Sequence, residues 1–213
     1  DATYTINWGD GTTESGTGAP TRTWPAAGIY DVEIESGGFN SLSQAYPGMN
    51  NGVRATLVDV LNWGNTQWVS MEWMFSTCVN LSGFTASDTP NTSLVTSMSN
   101  TFSFANTFDY DISNWDMGNV SDFTRTFYRA TAFNQNIDAW DVSSAITMDS
   151  TFRDADTFNQ PLNSWDVSSV NNMQNMFASA NSFDQNIGAW RMDSIFRTNG
   201  MFSSGSPFNN GGS

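Results

Sequence analysis

"WDVSSVNNMQNMFASANSFDQNIGAW", from Trp165 to Trp190, is one full period of a chain that repeats itself. Phe102, Phe127, Phe152, Phe177 and Phe202 stand 25 residues apart, and Phe108, Phe133, Phe158, Phe183 and Phe208 follow them six residues later. Trp115, Trp140, Trp165 and Trp190 come thirteen residues after the first four, and Ala105, Ala130, Ala155 and Ala180 three after. An earlier unit is anchored by Phe75, with Cys78 in the alanine slot. A period held this strictly marks a stacked repeat. No unit can cover its own apolar face, so neighbouring units bury a continuous core between them.

Within the quoted stretch, Val170, Met173, Phe177 and Ala180 fall at i, i+3, i+7 and i+10. That spacing predicts one face of an α-helix, with Ser168 or Ser169 as its N-cap. Ile187, Trp190 and Met192 follow, the last two spaced as in a short strand. The expected architecture is therefore an α/β repeat solenoid, a helix and a short parallel strand per 25-residue unit. Stacked strands would lie about 4.8 Å apart.

The pattern V-x-x-M-x-x-x-F-x-x-A-x-x-F-N-Q-x-I-x-x-W-D-V-S-S, over residues 66 to 208, resembles the BspA-like leucine-rich-repeat surface proteins of bacteria. Phe123 and Thr198 replace its methionine, Ala145 its valine and Arg191 its aspartate. The resemblance implies a leucine-rich-repeat solenoid at the cell surface, used for adhesion or protein interaction, without catalytic residues.

Residues 1–38 read differently. "YTINWGDGT" is an alternating strand running into a turn at Asp10, and "GIYDVEIES" alternates again through residues 29–34. The run WGDG…W-P-x-x-G-x-Y-x-V resembles part of a polycystic-kidney-disease-type β-sandwich. It is either half of such a domain or an antiparallel β cap on the first repeat. Residues 39–65, with Pro47 and Gly48, connect it to a solenoid of about six repeats over 66–213, the last one incomplete. The chain opens on Asp1 and closes on Asn-Gly-Gly-Ser, and is expected to be a piece of something longer.

Composition narrows the function. Seven arginines, no lysine and no histidine face 21 acidic residues, a net charge of −14. Such a field repels phosphate backbones and anionic headgroups, so nucleic acid is excluded as a partner. No segment approaches the roughly 18 apolar residues of a membrane span, which argues against direct insertion. Cys78, the lone cysteine, rules out an intrachain disulfide. Without histidine there is no Ser-His or Cys-His pair. Every recurring acid recurs with the period, whereas a catalytic pair should break it, so no enzyme is expected.

The chemistry-bearing candidates are polar columns. Asp116, Asp141 and Asp166 stand one per unit beside the tryptophans. Stacked in register, like charges cost energy unless answered. Backbone N–H groups, an Arg191 pair, or a hard cation such as calcium would answer them. No other cofactor is expected. The Asn134-Gln135, Asn159-Gln160 and Asp184-Gln185 steps suggest a hydrogen-bonded ladder. The expected binding residues are Asn114, Asp116, Asp138, Asp141, Asn163 and Asp166, which flank the tryptophan column.

The expected function is a non-enzymatic, extracellular module for adhesion or interaction with a protein or glycan at a cell or virion surface. The alternatives are a segment of a self-assembling filament or phage appendage, its open ends binding copies of itself, and, further off, a carbohydrate-active enzyme.

Overall fold

The computed structural model of the chain describes residues 4–7, 11–16, 33–37, 57–81, 83–204 and 207–210. Strands β1 (Tyr4–Asn7), β2 (Thr13–Gly16) and β3 (Glu33–Gly37) form an antiparallel sheet in the order β2-β1-β3. Its pairing with β3 shifts register between Thr5 and Ile6. The Asp10 turn, the alternation through residues 29–32, and Pro47 and Gly48 lie outside the described residues.

From residue 57 onward the chain winds in rungs, but not the rungs the spacing predicts. Among the described residues there is no helix, and no strand beyond β1–β3. Where a helix was expected, each rung is a chain of tight turns. In residues 98–105, Thr101, Ser103 and Ala105 donate their N–H to the carbonyl three residues back. The intervening N–H groups of Met98, Asn100, Phe102 and Phe104 donate to Asp122, Thr124, Thr126 and Tyr128 on the next rung. Half of this segment's donors close local turns and half tie it to its neighbour, so none is left for an i→i−4 helical bond.

Two features of the sequence drive this. Asp122 Oδ1 accepts the Thr124 N–H at 2.8 Å and Asn172 Oδ1 accepts that of Gln174 at 3.1 Å. Short polar side chains that capture the N–H two residues on compete directly with helix. The same turns place residues in the left-handed region: Asn100 and Phe104, Arg125 and Arg129, Ser150 and Asp154, Asn175 and Ser179 all have φ between 53° and 61°. An α-helix admits none of these.

The short strand is corrected as well. Rungs meet in single parallel bridges, Ser97 to Asp122, Asp122 to Thr147, Thr147 to Asn172 and Asn172 to Arg197. These sit ahead of the Met–Phe turns, not after the tryptophan.

The core is the inside of the stack. Phe102, Phe127, Phe152, Phe177 and Phe202 form one column with ring centroids 5.4–5.6 Å apart. Phe108, Phe133, Phe158, Phe183 and Phe208 form a second at 5.8–6.0 Å. Within a rung the two rings lie nearly parallel at 3.9–4.1 Å. Trp115, Trp140, Trp165 and Trp190 are buried, and the indole N–H of the last three reaches back across the interior: Trp140 to Ile112 O, Trp165 to Ile137 O and Trp190 to Leu162 O, at 2.8–3.0 Å. Trp165 and Trp190 stack within 4° of parallel. The buried hydroxyls of Thr101 and Thr126 are satisfied by the backbone: Thr101 Oγ1 donates toward Met98 O at 2.7 Å and Thr126 Oγ1 toward Phe123 O at 2.8 Å. Cys78 is buried in the small-residue slot.

Candidate functional site

Of the six predicted binding residues, Asn114, Asp116, Asp141, Asn163 and Asp166 are exposed and Asp138 is half-buried. The aspartate column exists: a Cβ placed on Gly118 would meet Asp116 Oδ1 at 3.4 Å and Asp141 Oδ2 at 3.5 Å, so two successive carboxylates flank one backbone position. Each is answered locally. Asp116 accepts the Gly118 N–H at 3.1 Å, Asp141 that of Ser143 at 3.0 Å, and Asp166 that of Ser168 at 3.0 Å. The Ser143 hydroxyl adds a 2.7 Å bond to Asp141. The side chain and then the backbone of Ser143 hold Asp141 below the ordinary carboxylate pKa, against a small upward push from Asp166. Ser168 does the same for Asp166, helped by the charge of Arg191. The expected Arg191 pair does not form with Asp166; its guanidinium bonds to Asp193 at 3.2 Å.

Asp138 is tied to the next rung instead, accepting the N–H and the hydroxyl of Ser164 at 2.9 and 2.8 Å. It meets Asp141 across a shallow open hollow also lined by Ser113, Asn136, Trp140 and Ser164. Asn114 and Asn163 are not part of that lining. The Asn-Gln ladder is in place: Asp109, Asn134, Asn159 and Asp184 each accept the N–H 25 residues on, at 2.5–2.9 Å. The following glutamines point back to the same oxygens at 2.8–3.2 Å. These oxygens brace the stack. Among the described residues no three acidic or sulfur ligands converge as a metal would require.

A different cluster stands out on charge. Arg125, Arg129 and Arg153 place their guanidinium carbons 5.9, 5.4 and 5.7 Å from the ring centre of Tyr128. Arg129 lies equally close, 5.4 Å, to Phe104, which meets Tyr128 edge-on at 5.1 Å. Arg129 and Arg153 share the Asp154 carboxylate, 3.3 Å from Arg129 Nε and 3.7 Å from Arg153 Nε.

Comparison with known families adds one finding. A family described as "Mycoplasma protein of unknown function, DUF285" matches residues 40–155 and again 96–213, which together take in everything from 40 to the end. The chain belongs to the DUF285 family. No curated protein and no solved structure matches it. DUF285 membership agrees with a repeat chain but carries neither the leucine-rich-repeat nor the polycystic-kidney-disease assignment.

Against the DUF285 repeat the arginine cluster is an irregularity, and that was the missed signal. The slots held by Arg125, Tyr128 and Arg129 are Asn100, Ser103 and Phe104 one unit earlier, and Asn175, Ala178 and Ser179 two units later. Reading along the period found the columns and passed over the one rung that departs from it.

Proposed function

We propose that the chain is a non-enzymatic module that acts by contact at the outside of a cell or virion, recognising a protein or a glycan. The observation that carries this is the state of the carboxylates. A general acid needs a raised pKa and a free oxygen. Asp141 and Asp166 are held below the ordinary carboxylate pKa, each with Oδ1 committed to a serine N–H. Such groups fix turns and present a regular polar face on a rigid stack. That face, carrying Asn114, Asp116, Asp138, Asp141, Asn163 and Asp166, is the recognition surface.

The test is attachment. The labelled chain should bind cells or a protein and glycan array, and an Asn114→Ala, Asn163→Ala double variant should lose most of that binding. Full retention would remove the face from the proposal, and release of a cleaved product from a bound glycan would overturn the non-enzymatic reading.

A second reading is association between copies of the chain, for which Phe196, 84% exposed, offers an apolar contact. Light scattering separates the two, since a monomer at high concentration is incompatible with self-association.

A further inference from the structure

We infer that the Arg125–Arg129–Arg153 cluster around Tyr128 is a binding site for the carboxylate of an acidic sugar. This rests on the recognition reading above and names a separate place and a ligand class for it.

The chain is strongly acidic, with seven arginines in all, yet three of them surround one ring. Chance scatter on a surface of net charge −14 would spread them among carboxylates. Here Arg129 and Arg153 share Asp154, and Arg125 lies over the same ring. Two cations on one carboxylate leave a net positive charge, to which Arg125 adds and which an incoming oxyanion relieves. Stacking on Tyr128 and Phe104 orders the guanidiniums by cation–π attraction. It leaves their N–H edges to engage a planar two-oxygen acceptor, the geometry that carboxylates match. Arg129 and Arg153 keep half and 41% of their side chains open to solvent, so the edges are reachable. Arg153 Nε, by contrast, is covered and has no hydrogen-bond partner.

The backbone supports a selected role. Phe104, Arg125 and Arg129 have φ of 61°, 55° and 58°, as Trp73 and Thr77 do in the first rung at 59° and 62°, whereas the equivalent slots of later rungs hold Ser150, Asp154, Asn175, Ser179 and Gly200. Bulky side chains are disfavoured in the left-handed region, where Gly, Asn and Asp are easier. Placing them there costs stability, and strain of this kind collects at functional sites.

The ligand class follows from what surrounds the cluster. A polyanion would meet the field of the whole chain and be repelled, so the site suits an isolated charge. A protein partner would seek an apolar centre. None of the exposed large hydrophobic side chains falls within residues 98–104, 123–129 or 148–154. The turns instead carry Ser99 and Thr124, hydroxyls suited to a sugar.

The experiment is a titration of the full chain with methyl β-glucuronide, followed through the arginine Nε–H signals and the Tyr128 ring in NMR spectra. A saturable shift in the millimolar range is expected, with methyl β-glucoside, the same ring without the carboxylate, giving none. Loss of one charge-assisted bond in Arg129→Gln should weaken binding about tenfold. Arg197→Gln, outside the cluster, should leave it unchanged. No saturable shift, equal response to the glucoside, or undiminished binding by Arg129→Gln overturns the inference. Tighter binding of a glutamate-containing tripeptide overturns it too, in favour of a protein ligand. Any of these results leaves the Asn114 and Asn163 attachment assay standing on its own.

Discussion

The rings of Phe152 and Phe158 lie 4.1 Å apart and within 9° of parallel, and the same pairing holds in the rungs above and below. Phe152 also touches Phe127, Phe177 and Trp165, so one side chain joins three layers. Phe152→Ala should therefore cost about 3 to 5 kcal/mol, the range for deleting a fully buried aromatic. Phe202→Ala, in the partly covered last rung, should cost clearly less. Urea midpoints of the two variants check this, and equal losses would mean the stack is not cooperative across rungs.

Trp165 offers a finer test, because its N–H bonds to Ile137 O at 3.0 Å in the interior. Trp165→Phe keeps an aromatic ring but removes one of the two N–H groups on that carbonyl, which still accepts from the Trp140 backbone. A loss of about 0.5 to 1.5 kcal/mol is expected for the missing hydrogen bond, apart from the smaller volume. Trp165→Phe combined with Ile137→Val shows whether the two act as a unit: the losses should fall short of additive.

Thr77 points the other way. It is β-branched at φ 62°, and its Oγ1 is buried without a partner. Thr77→Gly removes both faults. A gain of about 1 kcal/mol is expected after the entropic cost of glycine, or roughly 2 to 4 °C in Tm for a chain of this size. Thermal unfolding followed by circular dichroism measures it, and a lower Tm would show that the threonine methyl does more by packing than its backbone costs.

The aspartate columns predict an acid limb. Serine side chains and backbone N–H groups hold Asp111, Asp141 and Asp166 below the ordinary carboxylate value. A depressed pKa means the unfolded chain takes up protons first. The stability these groups contribute is complete above the unfolded value, about 3.9, and is lost as pH falls through their lower folded values. Relief of charge repulsion works against this over the same range. Ser143→Ala should thus flatten the fall in Tm between about pH 4 and pH 2. An unchanged profile would show that these bonds do not distinguish charged from neutral carboxylate.

Much of the core was legible in the sequence. The phenylalanine and tryptophan positions repeat, and the structure buries the regular ones in columns. The polar ladder through Asn134 and Asn159 was legible for the same reason. The helix was misread because Val170, Met173, Phe177 and Ala180 are indeed all buried. Spacings of three and four arise from a succession of turns as readily as from a helix, and sequence does not say where an N–H is sent. One local clue was present: Met176, Phe177 and Ala178 are three consecutive buried residues, more than one helical stripe covers. At the candidate sites, Asp116, Asp141 and Asp166 were found by their regularity, and the arginine cluster was missed because it lacks any.

From Met98 onward alternate N–H groups reach the carbonyls 24 residues on, and in the first rung, from Met71 to Thr77, 26 residues on, so the regular rungs add or lose length most simply in whole periods. An insertion of a single residue inside a regular rung would displace the donors whose reach spans it and must be absorbed locally, while donors beyond it keep their acceptors. Gain or loss of an entire unit would leave every remaining contact intact. Gain or loss of whole rungs is therefore a route by which chains of this kind can become longer or shorter and still fold.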